Sequence, residues 1–239
     1  MSAPINPNKI VIFSGAGISA ESGIKTFRDK DGLWVNKDPM KMASVEAWKS
    51  NPNEVIKFHN ERLAEIEKAK PNMAHISVAE LEQHFEVVVI TQNVDDLHER
   101  AGSSNVIHLH GSETQVYPDG NPEEVQVRGY KPIELDEHLD GNLIRPNVVL
   151  FGEKIHHYQE SVEHMKTAAR VMVVGTSLAV EPAASLLKKS RFHADRCIVS
   201  LKIEQKPYGF NFIQGNATDW VPHLVKKWIQ QGPKMNVNT

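Results

Sequence analysis

The chain has 239 residues, of which 40% are hydrophobic and 24% charged, and its formal net charge is −3 at pH 7. This length and composition are ordinary for a globular protein that buries one sizeable core. The small negative charge argues against a general nucleic-acid surface, and no apolar run approaches the roughly 20 residues that span a bilayer.

The first eight residues are polar and lack the apolar core of a signal peptide, so a cytoplasmic protein is expected. The single cysteine, Cys197, lies in an apolar run and has no second cysteine with which to form an internal disulfide. We therefore expect Cys197 to be a buried core thiol.

Residues 9–14 predict the first buried strand, because they form a short, β-branched run bounded by turn residues. Gly15 and Gly17 follow directly and permit a tight turn with close backbone approach. The next residues are predicted to start a helix, whose N-terminus would suit a pyrophosphate. The segment indicates a dinucleotide site, although a ligand-free strand–turn–helix corner would look much the same.

Further along the chain, apolar runs predict five more buried strands, at residues 86–91, 105–110, 147–151, 170–175 and 196–201. Helices are predicted over residues 53–68, after Asn72 as an N-cap, and from Pro182 onward. This alternation predicts an α/β fold with a doubly wound, mostly parallel sheet. Residues 25–70 and 112–142 break the rhythm and are predicted to fold beside the sheet as a small lobe.

Polar residues follow three of the predicted strands. Gln92, Asn93 and Asp95 come after residues 86–91, His110 ends residues 105–110, and Gly175 to Ser177 end or follow residues 170–175. The carboxyl ends of parallel strands share one edge of a sheet, so these groups are expected to cluster beside the glycine turn. Amide and carboxylate groups suit ribose hydroxyls and a carboxamide, and the small residues suit a phosphate.

His110 is the candidate general base, because a histidine at a strand end can titrate near neutral pH. A hydrogen-bonded histidine that only closes a turn is the competing interpretation. His108 is predicted to share a strand face with His110, and the local pattern does not choose between them.

Seven short blocks, taken together and in order, resemble the motif set of the sirtuins, a family of NAD-dependent protein-lysine deacylases. The resemblance covers residues 9–228 and suggests a bacterial-type member. The blocks are Gly15-Ala-Gly17-Ile18-Ser19, Thr26-Phe27-Arg28-Asp29, Gly32-Leu33-Trp34, Thr91-Gln92-Asn93-Val94-Asp95, His108-Leu109-His110-Gly111, Arg145-Pro146 to Phe151-Gly152-Glu153, and Gly175-Thr176-Ser177-Leu178.

This resemblance implies one catalytic domain over residues 1–239. A Rossmann-like lobe would comprise residues 5–24, 71–111 and 145–235, and two insertions, residues 25–70 and 112–144, would form the small lobe. NAD would lie between the lobes. The implied cofactor-binding residues are Gly15, Ala16, Gly17, Phe27, Arg28, Gln92, Asn93, Asp95, Gly175, Thr176, Ser177, Ser200, Leu201, Lys202 and Ala217.

By the same resemblance, His110 is the general base and acts with Asn93, while Phe27 closes over the reacting ribose. The products are free lysine, nicotinamide and O-acyl-ADP-ribose. An extended acyl-lysine peptide is expected to add as a strand between residues 177–180 and the segment Val149, Leu150, Phe151 and Gly152.

The chain departs from most sirtuins in its small lobe, where two Cys-x-x-Cys pairs usually hold a structural zinc. Residues 112–145 contain no cysteine, so thiolate zinc is excluded and no metal is expected. Packing is expected to replace it, through the side chains of Tyr117, Val125, Val127, Tyr130, Ile133 and Leu135.

Acyl preference is a second open point. One sirtuin subgroup that removes acidic acyl groups has a Tyr-x-x-Arg pair, and His59 and Arg62 occupy those positions here. Arg62 could pair with a succinyl or malonyl carboxylate, or it could be an exposed helix residue beside Glu61 or Ile66. With histidine in place of tyrosine, an ordinary or mixed acyl preference is favoured. Glu181 also replaces a usual aromatic residue.

Two other functions remain open at this point: NAD hydrolysis or protein ADP-ribosylation in the same cleft, and NAD binding without catalysis. The intact His110 and Phe151-Gly152-Glu153 favour deacylation. The expected partners are acylated-lysine proteins or peptides, without nucleic acid or membrane, and the expected state is a monomer.

Overall fold

In the computed structural model, residues 4–26 and 38–234 are described. The strands are β1 (Asn6–Ser14), β2 (Glu86–Thr91), β3 (Val106–His108), β4 (Gly111–Pro118), β5 (Gln126–Val127), β6 (His138–Leu139), β7 (Asn142–Val148), β8 (Ala168–Val174), β9 (Asp195–Ser200) and β10 (Asn211–Gln214). The α-helices are α1 (Pro39–Met42), α2 (Val45–Ser50), α3 (Pro52–Lys68), α4 (Met73–Glu80), α5 (Leu97–Ala101), α6 (Tyr158–Thr167) and α7 (Ala217–Gln231).

The larger sheet contains six parallel strands in the order β10-β9-β8-β1-β2-β3. Its central strand β1 is apolar on both faces: Ile10 and Ile12 face one core cluster, and Val11 and Phe13 face another. Residues of α4 and α7 complete the first cluster, and residues of α6 and the 3-10 helix Ala184–Lys189 complete the second. This double coverage explains the nearly continuous apolar runs of the strands and confirms the α/β prediction.

Helix α4 begins where the sequence predicts. The Asn72 side chain accepts a hydrogen bond from the Ala74 amide, and His75 accepts one from the Asn72 amide. This reciprocal pair is a capping box, which satisfies two amides that a helix start leaves without partners.

The smaller sheet is antiparallel, with strand order β5-β4-β7-β6. It packs against α2 and α3 through one apolar cluster that includes Trp48, Ile56, Val116 and Ile144. Strand β4 begins only three residues after β3 ends, so the two sheets meet directly beside His110.

Three local predictions were wrong. Residues 147–151 belong partly to β7, which pairs with β4 in the antiparallel sheet rather than joining the parallel one. The residues after Gly15 form two short 3-10 helices, Ala16–Ile18 and Ala20–Ser22, and no α-helix starts there. The segment after Pro182 also forms a 3-10 helix, Ala184–Lys189. Residue propensity does not distinguish these one- or two-turn forms from α-helix.

The predicted small-lobe packing was right for some side chains and wrong for others. Tyr117 and Ile133 are buried, and Tyr130 packs against a further apolar cluster. Val125, Val127 and Leu135 are exposed, Val127 to 81%. Val127 lies in the two-residue edge strand β5, and Val125 and Leu135 lie outside the strands, so the small-lobe core is formed by α2, α3, β4 and β7 instead.

Candidate functional site

The cleft lies along the edge where the parallel strands end. Following the strand order from β9 to β3, the residues at or after the strand ends are Ser200, Gly175, Gly15, Gln92 and His110. All five line one cavity of about 600 Å³, hereafter the cleft, which continues into the small lobe. The topology therefore brings together the groups that the sequence places at separate strand ends.

Two glycine loops touch in the floor of the cleft. The Gly15 amide donates to Val174, and the Gly17 amide donates to Gly175 at 2.7 Å. A Cβ on Gly17 would lie 2.7 Å from the Gly175 Cα, and a Cβ on Gly175 would lie 2.2 Å from the Ile18 amide nitrogen. The glycines are needed for this contact between loops, and the Gly15 and Gly17 amides are used within the protein.

Beside the glycine loops, Asn93 and Asp95 are held through one hydroxyl group. Ser19 Oγ donates to Asp95 Oδ2 at 3.0 Å and accepts from Asn93 Nδ2 at 3.2 Å. Asn93 lines the cleft and is buried, and its Oδ1 has no hydrogen-bond partner among the described residues. An acceptor in this state is suited to a ligand that brings a donor, such as an amide or hydroxyl.

Asp95 is buried, and this burial raises the pKa of its carboxyl group above the ordinary value. Hydrogen bonds from the Leu97 amide and Ser19, together with the positive charge of His108 and Arg62, act in the opposite direction. Asp95 does not itself line the cleft. It acts by orienting Ser19, which in turn orients Asn93.

His110 is partly buried in the wall of the cleft. Its Nδ1 lies 2.9 Å from the Gln92 carbonyl oxygen, which can only accept, so Nδ1 carries the proton. Nε2 of the neutral ring therefore keeps its lone pair. Burial lowers the pKa of His110, the hydrogen bond to Gln92 opposes that effect, and His156 adds to it. The imidazole is thus neutral near pH 7 and able to accept a proton.

His108 differs from His110 in both position and partners. Its Nδ1 lies 2.9 Å from the Asn93 carbonyl oxygen and its Nε2 lies 2.7 Å from Glu99 Oε1. Burial disfavours its charged form, but Glu99 outweighs that effect, so the pKa of His108 is raised. Both ring nitrogens are engaged and His108 does not line the cleft. The geometry therefore favours His110 as the proton acceptor.

The opposite end of the cleft is formed after β8 and β9. Thr176 and Ser177 follow Gly175, and Leu201 and Lys202 follow Ser200, whose hydroxyl donates to the Lys202 carbonyl at 3.1 Å. Ala217, at the start of α7, is buried against this wall. Leu201 is 63% exposed, so this end of the cleft is open to solvent.

The segment from Val149 to Gly152 forms the rim between the two sheets. The Val149 amide donates to the His110 carbonyl at 2.9 Å, and the Phe151 amide donates to Ala43 at 2.8 Å. All four residues line the cleft, although Leu150 is also 99% buried in the small-lobe core and Phe151 is 43% exposed. This rim is continuous with the predicted base.

At the small-lobe end, His59 and Arg62 of α3 also line the cleft. Arg62 is only 5% exposed and donates to Glu65 Oε2 at 2.8 Å, so the interpretation of Arg62 as an exposed helix residue was wrong. The residues at positions 59 and 62 lie on one face of the helix, and that face is turned towards the cleft.

The sequence prediction missed several residues of the cleft. Glu113 is the most consequential, because it is buried there beside His59 at 2.8 Å. Its position two residues after Gly111 on a strand was an available signal, since alternate strand residues share a face. Other missed lining residues are Thr26, Phe58, Val94, Glu204 and Asn216, whereas Val180 belongs to the predicted peptide-flanking segment 177–180. Phe27 and Arg28 lie outside the described residues.

Within residues 4–26 and 38–234, no three histidine, cysteine, aspartate or glutamate side chains lie close enough to hold a metal ion. In the same part of the chain, no helix has the length and apolar character needed to cross a bilayer.

Comparison with known proteins supplies the family. Residues 15–182 match the model of the Sir2 family, and this match covers most of the chain and most of the cleft. The chain belongs to the Sir2 family. A Sir2 relative from Helicobacter pylori, named NAD-dependent protein deacylase, is 44% identical over 226 residues, which cover 92% of this chain and 97% of the relative.

Two solved structures of Sir2 proteins are also similar. One is a crystal structure of a Sir2 homologue–NAD complex, with a TM-score of 0.81 and 36% identity, covering 93% of this chain and 90% of that chain. The other is a Sir2 variant with a deacetylated peptide and 3′-O-acetyl ADP ribose. Its TM-score is 0.77 and its identity 29%, and it covers 92% of this chain and 93% of that chain.

Proposed function

We propose that this Sir2 protein is an NAD-dependent protein-lysine deacylase in which His110 is the general base and Asn93 binds the reacting cosubstrate. The observation that carries this proposal is the hydrogen bond from His110 Nδ1 to the Gln92 carbonyl, which leaves a neutral imidazole with a free lone pair in the cleft. The names of the Sir2 relatives support the same activity.

The cleft is suited to NAD in size and in chemistry. Its volume of about 600 Å³ falls in the range of cofactor sites. The acceptor Asn93 Oδ1, which has no partner among the described residues, can receive a donor such as the nicotinamide carboxamide. The contact between Gly17 and Gly175 excludes side chains from the floor and leaves room for a phosphate. Ser200 to Lys202 and Ala217 would border the adenosine.

When bound, NAD would supply the ADP-ribosyl group that receives the acyl group from lysine, with nicotinamide as the leaving group. Asn93 and Gln92 bind and orient it, and Ser19 fixes the Asn93 amide through the bond with Asp95. His110 accepts at Nε2 the proton that a reacting hydroxyl gives up, because Nδ1 already carries one. General base catalysis of this kind contributes about 10²–10⁴ in rate.

The rim from Val149 to Gly152 would bind the acyl-lysine peptide as an added strand, opposite residues 177–180. The Val149 and Phe151 amides are already bonded to His110 and Ala43, so the rim is held in place before the peptide arrives. Preorganisation of this kind lowers the entropic cost of binding. The peptide would place its lysine beside His110, between NAD and the small lobe.

We further propose that the small lobe folds without zinc, since residues 112–145 contain no cysteine. In place of a metal, Arg128 forms two hydrogen bonds with the Glu137 carboxylate, at 2.9 and 2.7 Å, and donates to the carbonyls of Lys131 and Pro132. A cytoplasmic location and a monomeric state remain part of the proposal.

The decisive experiment incubates the purified protein with NAD and lysine peptides that are unmodified, acetylated, longer-chain acylated or succinylated. Mass spectrometry then follows nicotinamide, deacylated peptide and ADP-ribose. Nicotinamide release matched one for one by deacylated peptide supports the deacylase. Nicotinamide release without an acyl peptide, or ADP-ribose attached to protein, overturns it in favour of NAD hydrolysis or ADP-ribosyl transfer.

A further inference from the structure

His59 and Glu113 form a buried pair at the small-lobe end of the cleft. His59 Nδ1 lies 2.8 Å from Glu113 Oε1, and the two side chains are 5% and 2% exposed. They come from different elements, α3 and β4, which pack against each other. Both residues line the cleft beside Phe58 and Val94. The fold therefore holds a carboxylate in a partly apolar wall of the substrate cavity.

Glu113 is also tied to the catalytic side of the cleft through its backbone. Its amide donates to the Val94 carbonyl at 2.9 Å, and Val94 directly follows Asn93. His110 lies three residues before Glu113 on the connection from β3 to β4. Because His110, Glu113 and His59 line the same cleft, an acyl chain that starts beside His110 and extends towards the small lobe would end near Glu113 and His59.

The guanidinium group of Arg62, which is the cation beside this pair, already has partners within the protein. Arg62 donates to Glu65 Oε2 at 2.8 Å and to the Lys25 carbonyl at 3.3 Å. The positive charge of Arg62 also acts on the buried Asp95. An acyl chain that ends in a carboxylate would bring a second negative charge close to Glu113. The neighbouring cation, Arg62, is already shared among the partners just named.

We propose that Glu113 is a specificity-determining residue that excludes acyl groups ending in a carboxylate and restricts the protein to neutral acyl-lysines. Two carboxylates close together in a site with little water repel each other strongly, and that repulsion disfavours the wrong substrate. Arg62 alone does not offset it, because its charge is shared. This inference rests on the proposed deacylase function and names the class of acyl group.

The burial of Glu113 supports a role beyond folding. A buried pair of ionisable groups contributes little net stability compared with well-packed apolar residues, because both groups lose their hydration. His59 Nε2 also has no hydrogen-bond partner among the described residues, so the pair is not fully satisfied. Burying a side-chain pair of this kind costs free energy. Its position in the wall of the cleft therefore indicates a function there other than stabilising the fold.

The test compares acetyl-lysine and succinyl-lysine versions of one peptide and measures kcat/KM for each with NAD. For the protein itself, the succinyl to acetyl ratio is expected to be below about 0.1, from like-charge repulsion. In Glu113→Gln, which keeps the shape and removes the charge, this ratio should rise about ten-fold or more. The matched control is Glu124→Gln, an exposed glutamate of the small lobe, in which the ratio should stay as it is.

The ratio separates specificity from folding, since damage to the fold lowers both activities together. If Glu113→Gln does not fold, the double variant His59→Phe/Glu113→Leu removes both polar partners at once, which leaves neither unsatisfied. It should raise the same ratio. Calorimetry with the two peptides and no NAD should show weaker binding of the succinyl peptide to the unaltered protein, and this difference should shrink in Glu113→Gln.

The outcomes are distinguishable. Efficient removal of succinyl groups by the unaltered protein, or an unchanged ratio in both variants, overturns the inference while leaving the deacylase intact. Such a result would mean that His59 and Arg62 bind the acidic acyl group. Failure to deacylate any peptide overturns the proposed function and the inference with it.

Discussion

Arg145 and Glu153 join the end of the antiparallel sheet to the rim of the cleft through two parallel hydrogen bonds. Arg145 Nη1 lies 2.9 Å from Glu153 Oε1, and Nη2 lies 3.1 Å from Oε2. The guanidinium also lies over the rings of Trp48 and Tyr117, at 5.2 and 5.1 Å. Glu153 Oε2 additionally accepts from the Leu150 amide at 2.8 Å. One buried cation thus fixes the segment proposed to bind the peptide.

Removing Glu153 should therefore impair both stability and peptide binding. Glu153→Ala removes the closer of the two carboxylate partners of the Arg145 guanidinium, which is only 5% exposed, and leaves Asp119 at 3.8 Å. We expect the free energy of unfolding to fall by about 2 kcal/mol and the KM for the peptide to rise more than kcat falls. Glu160→Ala breaks an exposed pair with His157 and should change stability by less than about 1 kcal/mol. Equal effects of the two variants in urea unfolding would contradict the proposed role.

Replacing His110 by alanine should abolish deacylation while preserving NAD binding. The expected loss in kcat is about 10²–10⁴-fold, the usual contribution of a general base. Isothermal calorimetry with NAD supplies the second measurement, because Asn93 and the glycine loops remain in place. The matched control is His108→Gln, since His108 shares the strand end but not the cleft. Retention of more than half of the activity in His110→Ala would rule out the mechanism.

The acid limb of the pH–rate profile should lie below pH 6.5. Burial is the largest effect on His110, and it lowers the pKa from the ordinary value of 6.5. The neutral, proton-accepting ring therefore persists as the pH falls to 6.5, and activity is lost only below it. Measurement of kcat/KM between pH 4.5 and 8.5, chosen to bracket the ordinary histidine pKa, checks this. A midpoint above 6.5 would assign the limb to another group.

The sequence predicts the parallel sheet well because its strands are buried on both faces. Residues 86–91 match β2 in full, and the other predicted parallel strands are displaced by only a few residues. The antiparallel sheet was not predicted, because β4 is largely polar and β5 and β6 contain two residues each. Short edge strands of this kind are fixed by their partners rather than by local pattern.

The site was also predicted only in part. Gln92, Asn93 and His110 follow strand ends, so the topology alone brings them to one edge. The pair His59 and Glu113 joins residues 54 positions apart, and their contact depends on how α3 packs on β4. No periodic pattern in the local sequence indicates that contact. His59 and Arg62 were found through the family resemblance, and Glu113 only through the structure.

Metal chelation should leave both stability and activity unchanged. The proposed zinc-free lobe relies on the apolar packing of α2, α3, β4 and β7 and on the Arg128–Glu137 bonds, and Arg128 also holds the pKa of the Glu137 carboxyl below its usual range. We expect the same melting temperature with and without EDTA, and less than about 0.1 zinc per chain by elemental analysis, as a cysteine-free lobe implies. Loss of activity that added zinc restores would refute the zinc-free lobe.

By contrast, Arg128→Met should lower the free energy of unfolding by about 1–2 kcal/mol, because it removes a partly buried, two-point ion pair. The control is Lys57→Met, which breaks an exposed pair with Glu54 and should have almost no effect. Thermal and urea unfolding compare the two variants. Identical midpoints would show that apolar packing alone holds the small lobe.

Two buried histidines, His75 and His98, should make the fold lose stability as soon as the pH falls below 6.5, before most carboxylates titrate. Burial lowers the pKa of His75 from 6.5 to about 4, and burial together with His75 and His108 lowers the pKa of His98 well below 6.5. Their rings are 5.0 Å apart, and Ser14 Oγ lies 3.0 Å from His98 Nε2. Each ring is therefore neutral in the folded protein at pH values where it is charged when unfolded.

The sign of this effect follows from proton binding. Between pH 6.5 and about 4 the unfolded chain binds more protons at His75 than the folded one, so stability falls as the pH falls. The slope is about 1.4 kcal/mol per histidine for each pH unit well inside that window. Urea unfolding at several pH values from 7 to 5 measures it, a range set around the ordinary histidine pKa.

His75→Gln isolates the contribution of one ring. Glutamine at this helix position can still accept the Asn72 amide, so the capping box of α4 is retained. The variant should lose part of the pH slope between 6.5 and 5 while keeping its helix, whereas His138→Gln, at an exposed position, should keep the full slope. An unchanged slope in His75→Gln would mean that this ring is charged in the folded protein, contrary to its burial.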